Sequence, residues 1–187
     1  MYWKKIGKIF DPFDYNLPND CISHAQSPQT LVFDDFIRVY FSTRAEDISG
    51  KFISHVAYVD FTKDMKTILK VSNHEILPPG ELGTFDEHGI FPISPLRDAN
   101  RIFAYTTGWT RRKSVSVNTG IGLVESLDNG ETFQRASAGP VLSASLHEPF
   151  LVCDGFVKKI DAKYHMWYIF GTAWATGSST NRPERTY

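Results

Sequence analysis

The chain of 187 residues has little cysteine, no excess of either charge and no long apolar run. Its two cysteines, Cys21 and Cys153, are too few for a disulfide framework, and the apolar stretches beside them predict buried, reduced thiols. The near balance of 20 basic and 21 acidic residues excludes the basic surface that attracts nucleic acid or anionic lipid. No segment has the length of a signal-peptide core or a membrane span. These absences predict a cytoplasmic protein whose partner is neither nucleic acid nor membrane.

Aromatic side chains, in contrast, are abundant: the chain has 14 Phe, 8 Tyr and 4 Trp. Aromatic residues favour β-strands, and they provide flat faces on which sugar rings stack. Apolar and polar residues alternate in many short segments, whereas helical periodicity is weak throughout. The sequence therefore predicts an all-β protein and favours a carbohydrate as its partner.

A unit of about 60 residues occurs three times along the chain. Each unit begins with polar residues and a proline, at Pro28, Pro92 and Pro149, and continues into two strands, the second of which contains tyrosine. In the first two units a third alternating strand and a shorter fourth strand follow, with a hairpin turn between them. Four antiparallel strands at a fixed period predict the blades of a β-propeller, and a plain antiparallel sandwich is the alternative.

The repeat predicts a single incomplete propeller domain over residues 1–187. The first blade spans about 24–75, the second about 86–143, and a partial third, with only two strands, about 147–187. The Gly-, Ser-, Asn- and Pro-rich segments Asn73–Gly89 and Ala175–Tyr187 are predicted to be loops between strands. Propellers close with about four to eight blades. The missing blades are therefore expected from a longer chain or from an associated copy.

Polar clusters precede the first strand of each unit. In a propeller this strand lies nearest the axis, so the loop that enters it faces the central funnel. Each cluster residue by itself is more typical of a solvated loop charge or of a histidine at a strand end. Together they predict one pocket, formed by His24, Gln26, Asp86, Glu87, His88, His147 and Glu148.

Hydrolysis of a glycosidic bond uses two carboxyl groups, one protonated and one ionised. Glu148 precedes Pro149 and an apolar segment, so partial burial is expected to raise its pKa, as a general acid requires. Asp86 or Glu87 is the candidate for the second carboxyl group. We expect the catalytic residues to come from these three.

Aromatic platforms for a sugar are expected at Trp109 and Trp174, each of which ends a tyrosine-containing strand, although core packing explains them equally well. The sequence has no phosphate-binding glycine loop, no paired cysteine motifs for zinc and no Gly-x-Ser-x-Gly elbow. A metal held by His24, His88 and His147 is a weaker alternative. We therefore predict no metal and no cofactor.

Five segments together carry a family likeness: HAQSP (His24–Pro28), RVYFSTR (Arg38–Arg44), FDEHGIFP (Phe85–Pro92), IGLVESLDNGETF (Ile121–Phe133) and MWYIFG (Met166–Gly171). They resemble the five-bladed β-propeller glycosidase superfamily, which includes glycoside hydrolase families 32, 43, 62, 68 and 130. The likeness is strongest to glycosidase-like proteins of bacterial polysaccharide loci. It implies a glycoside hydrolase-like protein that acts on a poly- or oligosaccharide by carboxylate chemistry in the propeller funnel.

In that superfamily each of the first three blades contributes an acidic residue to the funnel. The resemblance implies Asp86, or next Glu87, from the second blade and Glu148 from the third. The position that is often Asp-Pro in the first blade is Ser27-Pro28 here, so the usual base or nucleophile is absent from its usual place. Asp11, Asp14 or Asp20 are the candidate substitutes. A noncatalytic glycan-binding or scaffold propeller is the alternative function.

A second likeness lies in Ser126-x-Asp128-x-Gly130-x-Thr132, which resembles the Asp-box turn of sialidases. It implies a hairpin between third and fourth strands, away from the funnel. A sialidase would also need an arginine cluster and a tyrosine nucleophile. Arg44 is one candidate for a substrate-binding arginine, but the sequence shows no triad.

Overall fold

The computed structural model describes residues 2–176 and 183–187 and is built mainly from antiparallel strands. The first sheet has the order β1-β2-β3-β4. Its strands are β1 (Ser23–Val32), β2 (Phe36–Glu46), β3 (Phe52–Thr62) and β4 (Ile68–Val71). Two short 3-10 turns, Pro12–Asp14 and Pro18–Asp20, precede it.

The second sheet repeats this order with β5 (Ile90–Asp98), β6 (Arg101–Arg111), β7 (Val117–Ser126) and β8 (Gln134–Arg135). A two-stranded sheet follows, in which β9 (Val152–Ile160) pairs with β10 (Lys163–Phe170). A final hairpin joins β11 (Ala173–Thr176) to β12 (Pro183–Thr186). The prediction of an all-β chain with antiparallel sheets is confirmed, whereas the number of blades stays a prediction.

The first sheet is buried on both faces, which explains the long apolar runs of β2 and β3. One face packs on the second sheet through a cluster that includes Tyr40, Tyr58 and Ile93. The other face packs on residues that precede β1, through a cluster that includes Leu17, Cys21, Phe41 and Phe61. Because successive side chains of a strand point to opposite faces, neighbouring residues of β2 belong to different clusters. The first two sheets therefore pack face to face.

The Asp-box turn between β7 and β8 is held by its own side chains. The Asp128 carboxylate accepts hydrogen bonds from the Thr132 amide and the Ser126 hydroxyl, at 2.9 and 2.8 Å. The turn also reaches the first sheet, because the Tyr40 hydroxyl donates to the Gly130 carbonyl at 2.7 Å. It thus joins the two sheets.

The segment Asn73–Gly89 enters β5 without helix or strand, as predicted, and all of its residues are described. Gly89 closes it with a φ of +105°, and its backbone lies so near β3 that an added Cβ would be 1.8 Å from the Ser54 carbonyl oxygen. The Ser54 amide donates to the His88 carbonyl at 2.9 Å. Only glycine fits this contact, so Gly89 fixes the register between the loop and β3.

The end of the chain corrects one prediction. Ala175–Tyr187 is predicted to be a loop, but its ends are strands that pair with each other in β11 and β12, and residues 177–182 of that segment lie outside the described residues. The tyrosine-containing strand is also shorter than expected. The Gly171 amide donates to Leu151 and the next amide, of Thr172, to Thr186, so the chain changes partner there. Composition does not reveal such backbone pairing.

Both cysteines are buried free thiols, as predicted, and burial raises the pKa of Cys21 to about 11 and that of Cys153 to about 12. In the described part of the chain no helix has the length and apolar character needed to cross a membrane.

Candidate functional site

A cavity of about 270 Å³ lies where all four sheets meet. Its wall combines two arginines, one carboxylate and three large aromatic rings with small polar side chains. The residues are Arg44 of β2, Phe91 of β5, Thr107 and Trp109 of β6, Val117 and Thr119 of β7, Cys153 and Asp154 of β9, Arg185 of β12, and Tyr187. A larger cavity, of about 470 Å³, lies under residues 7–10 and is lined mainly by apolar side chains. The first joins two arginines and an aspartate to aromatic surface, and ligand sites commonly have such a combination.

Arg44 enters the cavity from the end of β2, with neutral partners. Its Nη1 donates to Ser54 Oγ at 2.6 Å and its Nη2 to Gln26 Oε1 at 3.1 Å. The guanidinium carbon lies 5.3 Å from the centre of the Phe91 ring. Burial lowers the pKa of Arg44. The arginine therefore carries a partly desolvated charge with no carboxylate within salt-bridge distance in the described residues.

Trp109 is fixed beside Arg44 through the same serine. Its indole Nε1 donates to Ser54 Oγ at 2.9 Å, and the guanidinium carbon of Arg44 lies 5.9 Å from its ring centre. The His88 ring lies 5.5 Å from the Trp109 ring. His88 Nδ1 is buried and has no hydrogen-bond partner among the described residues, and burial lowers the pKa of this histidine. Gln26, Arg44, His88 and Trp109, all predicted site residues, thus form one contiguous cluster.

Asp154 is the carboxylate of the cavity, and sequence reasoning missed it. It lies in a β-bulge of β9, where Cys153 pairs with Ile169 and Phe156 with Trp167. Its φ is +55°, and its amide donates to Thr107 Oγ1 at 2.7 Å. The residue is exposed, yet partial desolvation raises the pKa of its carboxyl group, and the charge of Arg185 opposes this. The signal in the sequence is Asp-Gly in the middle of a strand, since such residues mark bulges that redirect side chains.

Asp86 is placed differently from the expected catalytic carboxylate. It is 1% exposed, and its Oδ2 accepts from Arg135 Nε at 2.8 Å while its Oδ1 accepts from Thr84 Oγ1 at 3.1 Å. Arg135 also donates to the Pro78 carbonyl at 2.6 Å. These contacts tie the loop before β5 to β8, which gives Asp86 a structural role.

Glu148 corrects a second expectation, since its pKa is lowered and not raised. The hydroxyl groups of Ser145 and Tyr168 donate to its carboxylate, the latter at 2.9 Å, and they stabilise the charged form more than burial disfavours it. The residue is half-buried and outside the lining of the cavity. Proline and apolar neighbours in sequence did not produce the expected burial.

The remaining predicted residues also lie outside that lining. Glu87 is half-buried and accepts from the Gly83 amide at 3.1 Å, and His147 is exposed, with its amide directed at Ser145. His24 is exposed, with its ring 5.8 Å from that of Phe52. Trp174 is half-buried and lies opposite Arg185 in the last hairpin, next to the cavity.

The aspartates expected to substitute for the first-blade acid lie outside the lining of the cavity, and so do the three histidines considered as metal ligands. Asp11 caps the first 3-10 turn and pairs with Lys8 at 2.5 Å, and Asp20 belongs to the second turn. In residues 2–176 and 183–187 no three His, Cys, Asp or Glu side chains converge on a metal position. The carboxylate of the cavity is therefore Asp154 and not one of these aspartates.

No protein-family model matches the chain. Two curated proteins of Mycobacterium tuberculosis are similar to it, the uncharacterized protein MT1551 of strain CDC 1551 and the uncharacterized protein Rv1502 of strain H37Rv. Each is 31% identical in an alignment of 182 residues that covers 95% of this chain. The chain spans 58% of the length of these relatives.

Among the solved structures with a similar fold are glycoside hydrolases. One is Zg3597, a family 117 glycoside hydrolase of the marine bacterium Zobellia galactanivorans, with a TM-score of 0.59 and 15% identity over 91% of this chain and 48% of that one. Another comes from the GH130 family of mannoside phosphorylases, which contains glycoside hydrolases that target β-1,2-mannosidic linkages in Candida mannan. Its TM-score is 0.55, with 17% identity over 85% of this chain and 47% of that one. The protein thus has a fold found in glycoside hydrolases.

Proposed function

We propose that the protein is glycosidase-like and that it binds a poly- or oligosaccharide and acts on a glycosidic bond. The binding site in this proposal is the cavity of about 270 Å³ lined by Arg44, Trp109 and Asp154, called the Arg44 cavity below. The observation that carries the proposal is the composition of this cavity. Trp109 offers an aromatic face held by Ser54, and aromatic faces are suited to sugar rings. Asp154 places a carboxyl group in the same wall. The shared fold with glycoside hydrolases supports the same reading.

Asp154 is the best-supported general acid of the described residues. A general acid must be protonated near neutral pH, which requires a raised pKa. Asp154 lines the cavity, and desolvation raises its pKa although the residue is exposed, whereas Glu148 lies outside the lining and two hydroxyl donors lower its pKa. The catalytic assignments of Glu148, Asp86 and Glu87 remain predictions from the sequence.

A noncatalytic glycan-binding protein is the second candidate, and one observation favours it. Glycosidases use two carboxyl groups at one bond, but the wall of the cavity contains only Asp154 in the described part of the chain. Ser27 stands where the resemblance implies the first-blade aspartate. Such a protein would retain affinity for the glycan without turnover.

We also propose that residues of a longer chain cover the third sheet. In the described residues β10 pairs only with β9, and its side chains Tyr164, Trp167, Ile169 and Phe170 are exposed. An unpaired apolar strand at a sheet edge invites association. The curated relatives have the extra length for further sheets, since the chain spans 58% of them. Slow amide exchange along β10 in the longer protein, and rapid exchange in the isolated chain, would support this.

Turnover of a panel of natural oligosaccharides by the full-length protein separates these functions. If Asp154 is the acid, Asp154→Asn should lower kcat by a factor of order 10² to 10⁴, the usual contribution of general acid catalysis. Asp35→Asn, in the exposed turn between β1 and β2, is the matched control and should leave kcat unchanged.

The result for Glu148→Gln decides between the two acids. A loss of turnover in Glu148→Gln but not in Asp154→Asn would restore the sequence prediction. Binding of glycans without turnover in the unmodified protein, weakened by Trp109→Ala, would favour the noncatalytic alternative. Absence of both binding and turnover would reject a carbohydrate function.

A further inference from the structure

We propose that the Arg44 cavity selects a sugar residue that carries a carboxylate, such as a hexuronate, and that Arg44 is the residue that recognises it. This inference rests on the proposed carbohydrate function and adds the substrate class. It depends on the charges of the cavity wall, which the fold shared with glycoside hydrolases does not determine.

The first step is the charge count of the wall. Its charged residues are Arg44, Arg185 and Asp154. Asp154 and Arg185 act on each other electrostatically, since the arginine opposes the raised pKa of the carboxyl group. An ionised Asp154 offsets Arg185 and leaves Arg44 uncompensated, and a protonated Asp154 leaves both arginines uncompensated. In either state the wall has at least one uncompensated positive charge, which favours an anionic ligand.

The second step is the state of the Arg44 guanidinium. Its two known partners, Ser54 Oγ and Gln26 Oε1, are neutral acceptors that hold the group in place. A guanidinium has five N–H donors, so several remain for a ligand. The planar fork matches a carboxylate with two parallel hydrogen bonds. Ser54 and Gln26 therefore orient the arginine without consuming its charge.

The third step favours a carboxylated sugar over inorganic phosphate. Phosphate would leave the aromatic faces of Trp109 and Tyr187 unused, whereas a sugar ring can pack on them. In its ionised state Asp154, which lies in the same wall, repels a phosphate dianion more strongly than a singly charged carboxylate. The volume of about 270 Å³ is near the lower end for ligand cavities, about 300 Å³. A monosaccharide-sized unit suits it.

Calorimetric titration of the full-length protein at low ionic strength tests the proposal. The ligands are methyl glucuronide and methyl galacturonide, the neutral methyl glucoside and methyl galactoside, and inorganic phosphate. We expect a uronide to bind at least about tenfold more tightly than its neutral counterpart, and added salt to reduce the difference. Phosphate should bind more weakly than the uronide.

Variants connect this selectivity to the arginine. Arg44→Gln should weaken uronide binding about 10- to 100-fold and leave the neutral sugar nearly unchanged, since a charge-assisted hydrogen bond is lost. Arg44→Lys keeps the charge without the fork and should retain part of the preference. Arg101→Gln is the matched control, because Arg101 lies on the surface and pairs with Glu125. It should change neither affinity.

The results that would overturn the proposal also show whether the carbohydrate function itself stands. Equal affinity for uronide and neutral sugar, with both weakened by Trp109→Ala, would reject the anionic class and leave the carbohydrate function standing. Phosphate binding that depends on Arg44, without uronide binding, would show an anion site of another kind. Failure of every sugar to bind would reject both proposals. If Arg44→Gln does not fold, Arg44→Lys decides, since an unchanged uronide preference in that variant would exclude the bidentate contact.

Discussion

Arg38 and Arg44 lie six residues apart on β2 and on the same face of the strand, yet their surroundings differ. Arg38 is 2% exposed and donates to both oxygens of Asp60, at 2.7 and 2.8 Å, and to Glu131 at 3.1 Å. Among the described residues, Arg44 has only neutral hydrogen-bond partners, and it lines a cavity. One arginine is a structural part of the interface between the first two sheets, and the other has charge left for a ligand.

The difference comes from what the second sheet places opposite each arginine. Near Arg38 it supplies the Asp-box turn, whose Glu131 also contacts Lys70 and Tyr58. Near Arg44 it supplies Trp109 and Phe91. A buried charge needs a partner to be stable. At one end of β2, Arg38, Asp60 and Glu131 therefore form a buried ion-pair cluster. The aromatic rings at the other end leave an open site.

The largest effect on stability should come from disrupting the ion-pair cluster of Arg38, Asp60 and Glu131. Arg38→Met would leave Asp60 buried without its partner, and we expect a loss of about 3–5 kcal/mol in the free energy of unfolding. Arg44→Met removes hydrogen bonds to neutral groups only and should cost about 1 kcal/mol. Urea titrations of the two variants measure the contrast. Similar losses in the two variants would contradict the prediction, because they would mean that Arg38 and Arg44 are energetically equivalent. The double variant Arg38→Met/Asp60→Leu is the control, and it should recover much of the stability that Arg38→Met loses.

A smaller effect should follow from disturbing the support of Arg44. Gly89→Ala would place a Cβ 1.8 Å from the Ser54 carbonyl at a φ of +105°, and we expect a loss of about 3 kcal/mol with weaker ligand binding. Gly83→Ala is the control, since Gly83 has a φ of +87° with open space around its Cβ position. That variant should show only the backbone strain of about 1 kcal/mol. Equal midpoints of thermal unfolding for the two variants would contradict the close contact.

The smallest effect concerns the pH dependence of the stabilisation by Glu131 in the ion-pair cluster. Burial of Glu131 opposes ionisation, but hydrogen bonds from Lys70, Tyr58 and Arg38 outweigh it and lower its pKa to about 2. A folded-state pKa below the unfolded value near 4.5 means that this stabilisation is present above pH 4.5 and is lost as the pH falls towards 2.

Unfolding midpoints between pH 2 and 7 measure this prediction. The difference in stability between the unmodified protein and Glu131→Gln should be present at pH 7 and shrink towards pH 2. A difference that stays constant over this range would show that the Glu131 charge does not contribute. Glu125→Gln, at the exposed pair with Arg101, is the control and should change the profile less, because exposed ion pairs contribute little.

The strands and turns were predictable because their signals are local. Alternation of apolar residues marks β2 and β3, and Ser126, Asp128 and Thr132 carry the side chains that hold their own turn. The last hairpin was missed because the strand Pro183–Thr186 has no apolar alternation and is defined only by its pairing with Ala173–Thr176. Local pattern thus predicted the well-buried sheets and not the marginal one.

The candidate site was only partly accessible to sequence reasoning. Arg44 and Trp109 were singled out and line the cavity. Asp86 was singled out for its acidity, but Arg135, from a strand 49 residues further along, makes it part of a buried ion pair. The number and type of acidic residues before each strand do not indicate which of them face a cavity and which meet an arginine.

Local sequence patterns were enough to predict an all-β chain, strands that alternate with tight turns, and the same strand order in the first two sheets, because these properties depend on residues close together along the chain. The chemistry of the charged residues, in contrast, depends on the tertiary structure. A bulge in β9 places Asp154 in the wall of the cavity, and the stacking of the first two sheets pairs Arg38 with carboxylates while Arg44 faces aromatic rings. Solvation and partners set the charge and pKa of a side chain, and both depend on residues far apart in sequence.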